Sequence, residues 1–144
     1  MKKILLSILI LLCSSTCFSL DYITTNKAKI SWEAVTTLES GEVLPQGSVI
    51  KYMVYTMNQS SINQEIKEVP YSSTFDGSQT SCIITFTEEG KYIIGIKALR
   101  IINSSTTCES KIAWSNDEVA TNNKTFGVQY FSSPSSVTNL REGD

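Results

Sequence analysis

The segment SCIITFTEEGKYIIGIKALRII, residues 81–102, decides the fold class of this chain. Apolar and polar residues alternate in both of its halves, with Phe86 on the apolar face of the first half and Tyr92 on that of the second. Alternation with a period of two is typical of half-buried strands, and Glu89-Gly90 between the halves is typical of a turn. The segment therefore predicts two strands joined by a tight corner.

Weaker alternating runs lie on both sides of this segment. They cover residues 27–34, 49–57, 65–69 and 110–119, with Gly, Pro, Asp and Ser between them. Residues 65–69 end at a proline, so we expect them to form only a short edge strand. No ten-residue window has the apolar stripe of a helix. Several short strands separated by turns predict an all-β, antiparallel β-sandwich of about seven strands.

The first nineteen residues predict an export signal that is not part of the fold. Lys2 and Lys3 precede an apolar run, and small residues follow up to a cleavage point before Leu20. The apolar run is shorter than the ~20 residues that cross a bilayer, and no later stretch is as apolar, so we expect no transmembrane segment. The sequence thus predicts a secreted or periplasmic protein. An alternative is a lipoprotein signal, in which an acylated Cys17 tethers the protein to a membrane.

The composition argues against several classes of function. The chain has 12 basic and 14 acidic residues and no histidine, and removal of two leader lysines leaves a net charge of 10 − 14 = −4. Nucleic-acid binding depends on clustered Lys and Arg, so we expect no nucleic-acid partner. Without histidine the commonest general base and the commonest metal ligand are missing. We therefore expect no enzyme, no catalytic residue, no cofactor and no metal site.

Two cysteines, Cys82 and Cys108, lie outside the leader. In an exported chain a pair of cysteines predicts a disulfide, and two free thiols are the alternative.

The order of these segments resembles a fibronectin type III module, of the kind found in small exported domains of bacteria and their phages. Residues 29–32 resemble its strand B, residues 50–55 resemble its strand C, and the spacing of Phe86 and Tyr92 resembles the corner before its strand F. The resemblance covers about residues 27–120 and implies an immunoglobulin-like sandwich in which the Tyr92 hydroxyl bonds to the corner backbone. It also implies that Cys82 and Cys108 meet at one end of the sandwich. The implied core residues are Trp32, Tyr52, Val54, Phe86, Tyr92, Ile94 and Ile96.

The two ends of the chain depart from this family pattern. We expect a domain over residues 20–121 and a tail over residues 122–144, yet residues 20–26 lack the usual first strand. A segment resembling that strand lies instead in the tail, at Val137, Thr138, Asn139 and Leu140. The tail could fold onto its own domain, donate a strand to a neighbouring copy, or be the remnant of a second domain.

The leading functional hypothesis is a non-enzymatic interaction or adhesion module. It would bind an unknown protein or glycan through a strand edge or through the loops at residues 35–48 and 103–109, since loops on a rigid sandwich often carry function. The alternatives are an assembly protein, such as a surface or phage-particle component linked by its C-terminal strand, and an enzyme inhibitor. The aromatic residues that are candidates for exposure and binding are Tyr55, Tyr71, Tyr130 and Phe131.

Overall fold

The computed structural model of the chain describes residues 20–69, 75–103 and 106–135. The predicted leader, Tyr71 and the four residues 137–140 lie outside these ranges. The described residues form strands, turns and loops without a helix, so the predicted all-β class is confirmed. In chain order the strands are β1 (Asp21–Thr24), β2 (Lys27–Ser31), β3 (Val49–Asn58), β4 (Ile66–Glu68), β5 (Phe75–Asp76), β6 (Ser81–Thr85), β7 (Gly90–Asn103), β8 (Thr106–Glu109), β9 (Ala113–Trp114) and β10 (Phe126–Tyr130).

These strands form two sheets. The larger sheet has the order β1-β10-β7-β3-β4, with β5 on β3 and with β8 and β9 on β7. The smaller sheet consists of β2 and β6, paired antiparallel with Ile30 opposite Cys82. All of the described strand pairs are antiparallel except β1 and β10, which run parallel. Short strands and turns thus dominate, as the alternating pattern predicts.

Both sheets contribute to one hydrophobic core. Its buried side chains come from β2, β3, β6, β7 and β10 and from the residue after β6: Ala28, Ile30, Val54, Ile84, Phe86, Tyr92, Ile94 and Val128. Of the residues expected in the core, Tyr52, Val54, Phe86, Tyr92 and Ile94 are buried, whereas Trp32 and Ile96 are half-buried and pack against the cluster.

The corner between β6 and β7 is fixed by Tyr92. Its hydroxyl donates a hydrogen bond of 2.6 Å to the Glu88 carbonyl, as expected from the sequence. Its ring packs on Phe86 with the ring centroids 4.6 Å apart. Gly90 has no Cβ, and a Cβ there would collide with the side-chain amide of Asn58. The corner therefore combines a buried ring, one directed hydrogen bond and a close approach that only glycine allows.

The structure corrects the expected course of the chain at both ends. The strand expected at residues 110–119 is reduced to β9, and on the β7 edge away from β3 the first residues of β7 pair with β10. Because β10 lies between β1 and β7 and Val128 is fully buried, the packed unit extends past residue 121 to Tyr130. In addition, β1 forms where no strand was expected. It is four residues long and mostly exposed, and so has too little alternation to be predicted.

The expected disulfide is not formed. Cys82 and Cys108 are both free thiols in the structure. Cys82 lies in the smaller sheet and packs against the core, whereas Cys108 is exposed on β8 and lies opposite Arg100 near the far end of β7. The two cysteines therefore belong to strands of different sheets and are not bonded to each other.

Candidate binding cleft and free strand edge

A cleft opens between the sheets because β7 has no continuous partner along one edge. Between β8 and β9, the Ser110 N–H donates to the Ala98 carbonyl (2.9 Å) and the Ser110 hydroxyl accepts from the Ala98 N–H (3.0 Å). After β9, Ser115 makes the same pair of bonds with Ile94, at 2.7 and 3.0 Å. The serine hydroxyls thus replace ladder carbonyls, and the chain can leave the sheet without orphaning buried N–H groups.

The cleft has a volume of about 890 Å³, within the range of small-molecule and peptide sites. One wall is the end of β2 with the residues that follow it, and the other is β9 with the turn at residues 119–124. Ile94 and Ile96 of β7 also line it. Four aromatic side chains line the cleft: Trp32, Tyr52, Trp114 and Phe126. Its interior is therefore mainly apolar.

The β2 wall is held by Tyr52. The Tyr52 side chain is 1% exposed, and its hydroxyl accepts a hydrogen bond of 2.9 Å from the Val35 N–H. The Trp32 ring packs edge-on against Tyr52 with a centroid distance of 5.3 Å. The indole Nε1–H of Trp32 is buried, and within the described ranges no acceptor lies in hydrogen-bonding distance of it. Buried donors are nearly always paired, so this unpaired donor in the cleft wall calls for an explanation.

The opposite wall is a compact polar turn. One carboxylate oxygen of Asp117 accepts hydrogen bonds from the Val119 and Ala120 N–H groups, at 2.8 and 3.1 Å. Asn122 and Asn123 then adopt left-handed φ angles of 52° and 60°, which asparagine tolerates better than most residues. This local chemistry turns the chain back into β10 and places Asn122 at the rim of the cleft.

The edge of β2 next to the cleft is unpaired over its second half. The Phe86 N–H bonds to the Asn26 carbonyl and the Trp32 N–H to the Thr80 carbonyl, so even-numbered residues of β2 face β6 and odd-numbered residues face away. At Lys27 both outward groups are bonded to the Thr25 hydroxyl. The outward N–H and C=O of Lys29 and Ser31 have no partner in the part of the chain that the structure describes.

The two loops expected to bind a partner, residues 35–48 and 103–109, differ in structure. Residues 36–44 form a small hairpin, with a 2.7 Å bond from the Leu38 N–H to the Glu42 carbonyl and with Val43 79% exposed. Residues 106–109 of the second loop form β8. Of the expected exposed aromatic residues, Phe131 is exposed and Tyr55 and Tyr130 are half-buried.

The cleft itself was not apparent from the sequence. Trp32 and Tyr52 were expected only as core residues, and Trp114 only as part of a strand. Phe126 belonged to the expected tail. The one usable signal is that Ser110 and Ser115 interrupt the alternation of residues 110–119 at the points where the chain leaves β7.

Groups with shifted pKa values lie outside the cleft lining. Hydrogen bonds from the side chain and backbone of Ser132 lower the pKa of Glu89, and burial raises the pKa of Cys82. A hydrogen bond to Glu109, 2.9 Å long, raises the pKa of Lys97. In the ranges that the structure covers, no three Cys, Asp or Glu side chains are grouped so that they could hold a metal ion. The cleft therefore offers shape, apolar surface and hydrogen-bonding groups for binding.

In the part of the chain that the structure describes, there is no helix long and apolar enough to cross a membrane. Comparisons with protein-family models, with curated proteins and with solved structures find no match for this chain.

Proposed function

We propose that this chain is a secreted, non-enzymatic interaction module that binds an extended segment of a protein partner. In this proposal it is a β-sandwich of the fibronectin type III-like class. The support for that class is the common core of the two sheets and the corner hydrogen bond of Tyr92.

The observation that carries the proposal is the contiguity of the cleft and the free edge. Ile30, Ser31 and Trp32 line the cleft, and Ser31 also presents an unpaired N–H and C=O at the β2 edge. An extended peptide that adds to an open edge gains main-chain hydrogen bonds and points alternate side chains inward. Here those side chains would enter an aromatic-lined cleft.

A protein partner fits this site better than a glycan or an enzyme substrate does. Sugars stack on open aromatic faces, but Tyr52 is almost fully buried and Trp32 and Trp114 are half-buried. Unpaired backbone groups, in contrast, are the natural partners of another backbone. Catalysis by Ser or Cys would need an adjacent base, and the chain has no histidine to provide one.

Selection of a random peptide library against the immobilised protein tests the proposal, together with a panel of cell-surface saccharides. We expect selected peptides to share alternating apolar residues and to shift the amide resonances of Lys29 and Ser31 and the indole resonance of Trp32. Ala120→Trp fills the mouth of the cleft from an exposed position and should abolish binding. Ser40→Trp, on the hairpin away from the cleft, is the matched control. Saccharide binding without peptide binding would replace the protein partner by a glycan, and shifts confined to the hairpin would move the site.

A further inference from the structure

The free edge of β2 and the aromatic cleft form an acceptor for one particular strand. We propose that this strand is residues 136–141 of a second copy of the chain, paired antiparallel to β2, so that copies join head to tail. The inference rests on the proposed function and names the partner at the same site. It is supported by where the chain leaves the packed unit, by the reach of the following residues and by the charges at the two ends of β2.

The chain leaves the packed unit at the end opposite the cleft. β10 begins at Phe126, which lines the cleft, and ends at Tyr130, opposite Gly90 of the corner. Both the N–H and the hydroxyl of Ser132 then donate to the Glu89 carboxylate. We call this end the corner end and the other the cleft end. β2 runs from the corner end to the cleft end, since Lys27 lies opposite Thr85.

The reach of the chain disfavours antiparallel pairing of these residues with their own β2. Such a strand would have to enter beside Ser31, at the cleft end. The four residue steps from Ser132 to residue 136 span at most about 14 Å. The axial length of β2 alone is also about 14 Å, and crossing between two stacked sheets adds a sideways step of about 10 Å. The edge of a neighbouring copy does not impose this limit.

Charge disfavours the remaining arrangement within one copy, which is parallel pairing. The segment ends with Arg141 and is followed by the acidic residues Glu142 and Asp144, so residues 141–144 carry a net charge of −1. In a parallel strand they would lie at the cleft end, beside the exposed carboxylate of Glu33. In an antiparallel strand they reach the corner end of β2, where Lys27 and Lys29 are exposed and carry no ion pair in the described structure. Opposite charges on neighbouring strands stabilise pairing, and like charges oppose it.

The chemistry of the segment also fits the acceptor. With residue 136 beside Ser31, Val137 lies opposite the buried Ile30 at the cleft end and can pack against the aromatic lining, whereas Leu140 lies on the other face near Lys27. The backbone of the added strand supplies partners for the outward groups of Lys29 and Ser31. The arrangement is heterologous, because the cleft end of one copy contacts the corner-end segment of the next. Contacts of this kind form open chains or closed rings, of which reciprocal strand exchange between two copies is the smallest.

Two proline substitutions distinguish loss of the β2 edge from the general destabilisation that proline causes in a strand. Ser31 and Ser81 lie opposite each other, and the N–H of each points away from the ladder, one toward the β2 edge and one toward the β6 edge. Ser31→Pro should therefore block the acceptor, whereas Ser81→Pro is the matched control. Val137→Asp places a charge in the apolar lining and so disables the donor, and it changes no residue of the packed unit.

The test is light scattering after size-exclusion chromatography of the exported chain and these variants, over a range of concentration and salt. We expect concentration-dependent oligomers for the unmodified chain and for Ser81→Pro, weakened by salt. Ser31→Pro and Val137→Asp should each remain monomeric. Mixed together they should form a 1:1 complex and nothing larger, because the first retains only its donor and the second only its acceptor.

Monomers of the unmodified chain at all concentrations would overturn the inference, and so would a mixture of the two variants that stays monomeric. In either case the peptide selection still decides the proposed function, because it does not depend on self-association. Oligomers that persist in Ser31→Pro, while Ser81→Pro removes them, would place the acceptor on β6 and would likewise refute the β2 assignment.

Discussion

Substitution of Gly95 by alanine should destabilise the protein by acting on one wall of the cleft. Gly95 lies in β7 opposite Trp114, and its φ is not in the left-handed region, so the added methyl group acts through space alone. A Cβ at Gly95 would lie 2.5 Å from Cγ2 of Ile112 and 2.8 Å from two ring atoms of Trp114. None of these three atoms is the far end of a flexible side chain, so β9 or the Ile112 and Trp114 side chains must shift.

The magnitude follows from two opposing effects. Overpacking of this kind costs about 1–3 kcal/mol, whereas replacing glycine by alanine stabilises by about 0.4–1 kcal/mol through the unfolded chain. We therefore expect a net loss of roughly 1–2 kcal/mol in the free energy of unfolding. Gly77→Ala is the matched control, since its Cβ would lie 3.3 Å from the Ile50 Cβ and its φ is also ordinary. At Gly77 the mild crowding and the stabilisation through the unfolded chain nearly cancel.

Urea unfolding followed by tryptophan fluorescence measures the difference. With a urea dependence of about 1–3 kcal/mol per molar, a loss near 2 kcal/mol lowers the midpoint by roughly 1 M. Displacement of Trp114 should also change the emission of the folded state. If Gly95→Ala unfolds at the same urea concentration as Gly77→Ala, with unchanged emission, then β9 does not pack on β7 as described and the cleft wall is wrongly placed.

Three further predictions concern other parts of the molecule. Ser115→Ala removes the acceptor of a buried N–H on β7 and should cost about 1–3 kcal/mol in chemical denaturation, whereas Ser115→Thr, which keeps the hydroxyl, should recover part of it. Hydrogen bonds from Ser132 lower the pKa of Glu89 in the folded state. The carboxylate therefore stabilises the fold at pH values above its unfolded pKa near 4.5, and this contribution is lost as the pH falls through the lower pKa of the folded state. The difference in melting temperature between the unmodified chain and Glu89→Gln should accordingly shrink from pH 7 to pH 3, and a difference independent of pH would contradict the bond. Since Cys82 is half-buried with a raised pKa and Cys108 is exposed, a thiol reagent at pH 8 should modify Cys108 first, and mass spectrometry that finds equal rates or a disulfide would refute this assignment.

Local alternation determined the elements whose residues pack on the core from one face. The two strands around the corner, β6 and β7, both follow from alternating patterns of fewer than fifteen residues. In these segments the side chains that must be buried recur every second residue, so the sequence alone carries the information.

Pairing between distant segments was decided only by the tertiary structure. β1 has four residues and little alternation, and it becomes a strand because β10 offers a free edge parallel to it. β10 belongs to the sheet because Val128 fills the core next to Tyr92, a contact between residues far apart in the chain. The packed unit runs past the expected boundary at residue 121, and the expected disulfide is not formed, since local patterns say little about which edges and thiols meet.

The candidate site depends on both levels. The sequence alone determined that the chain has no histidine and that Trp32 and Tyr52 are apolar anchors of the core. Tertiary structure decided that these rings face a cleft, because Ser110 and Ser115 satisfy β7 with their hydroxyls and release the chain from its edge. A backbone N–H must be bonded, but a serine side chain can do this as well as a strand, and only the folded geometry shows which of the two is used.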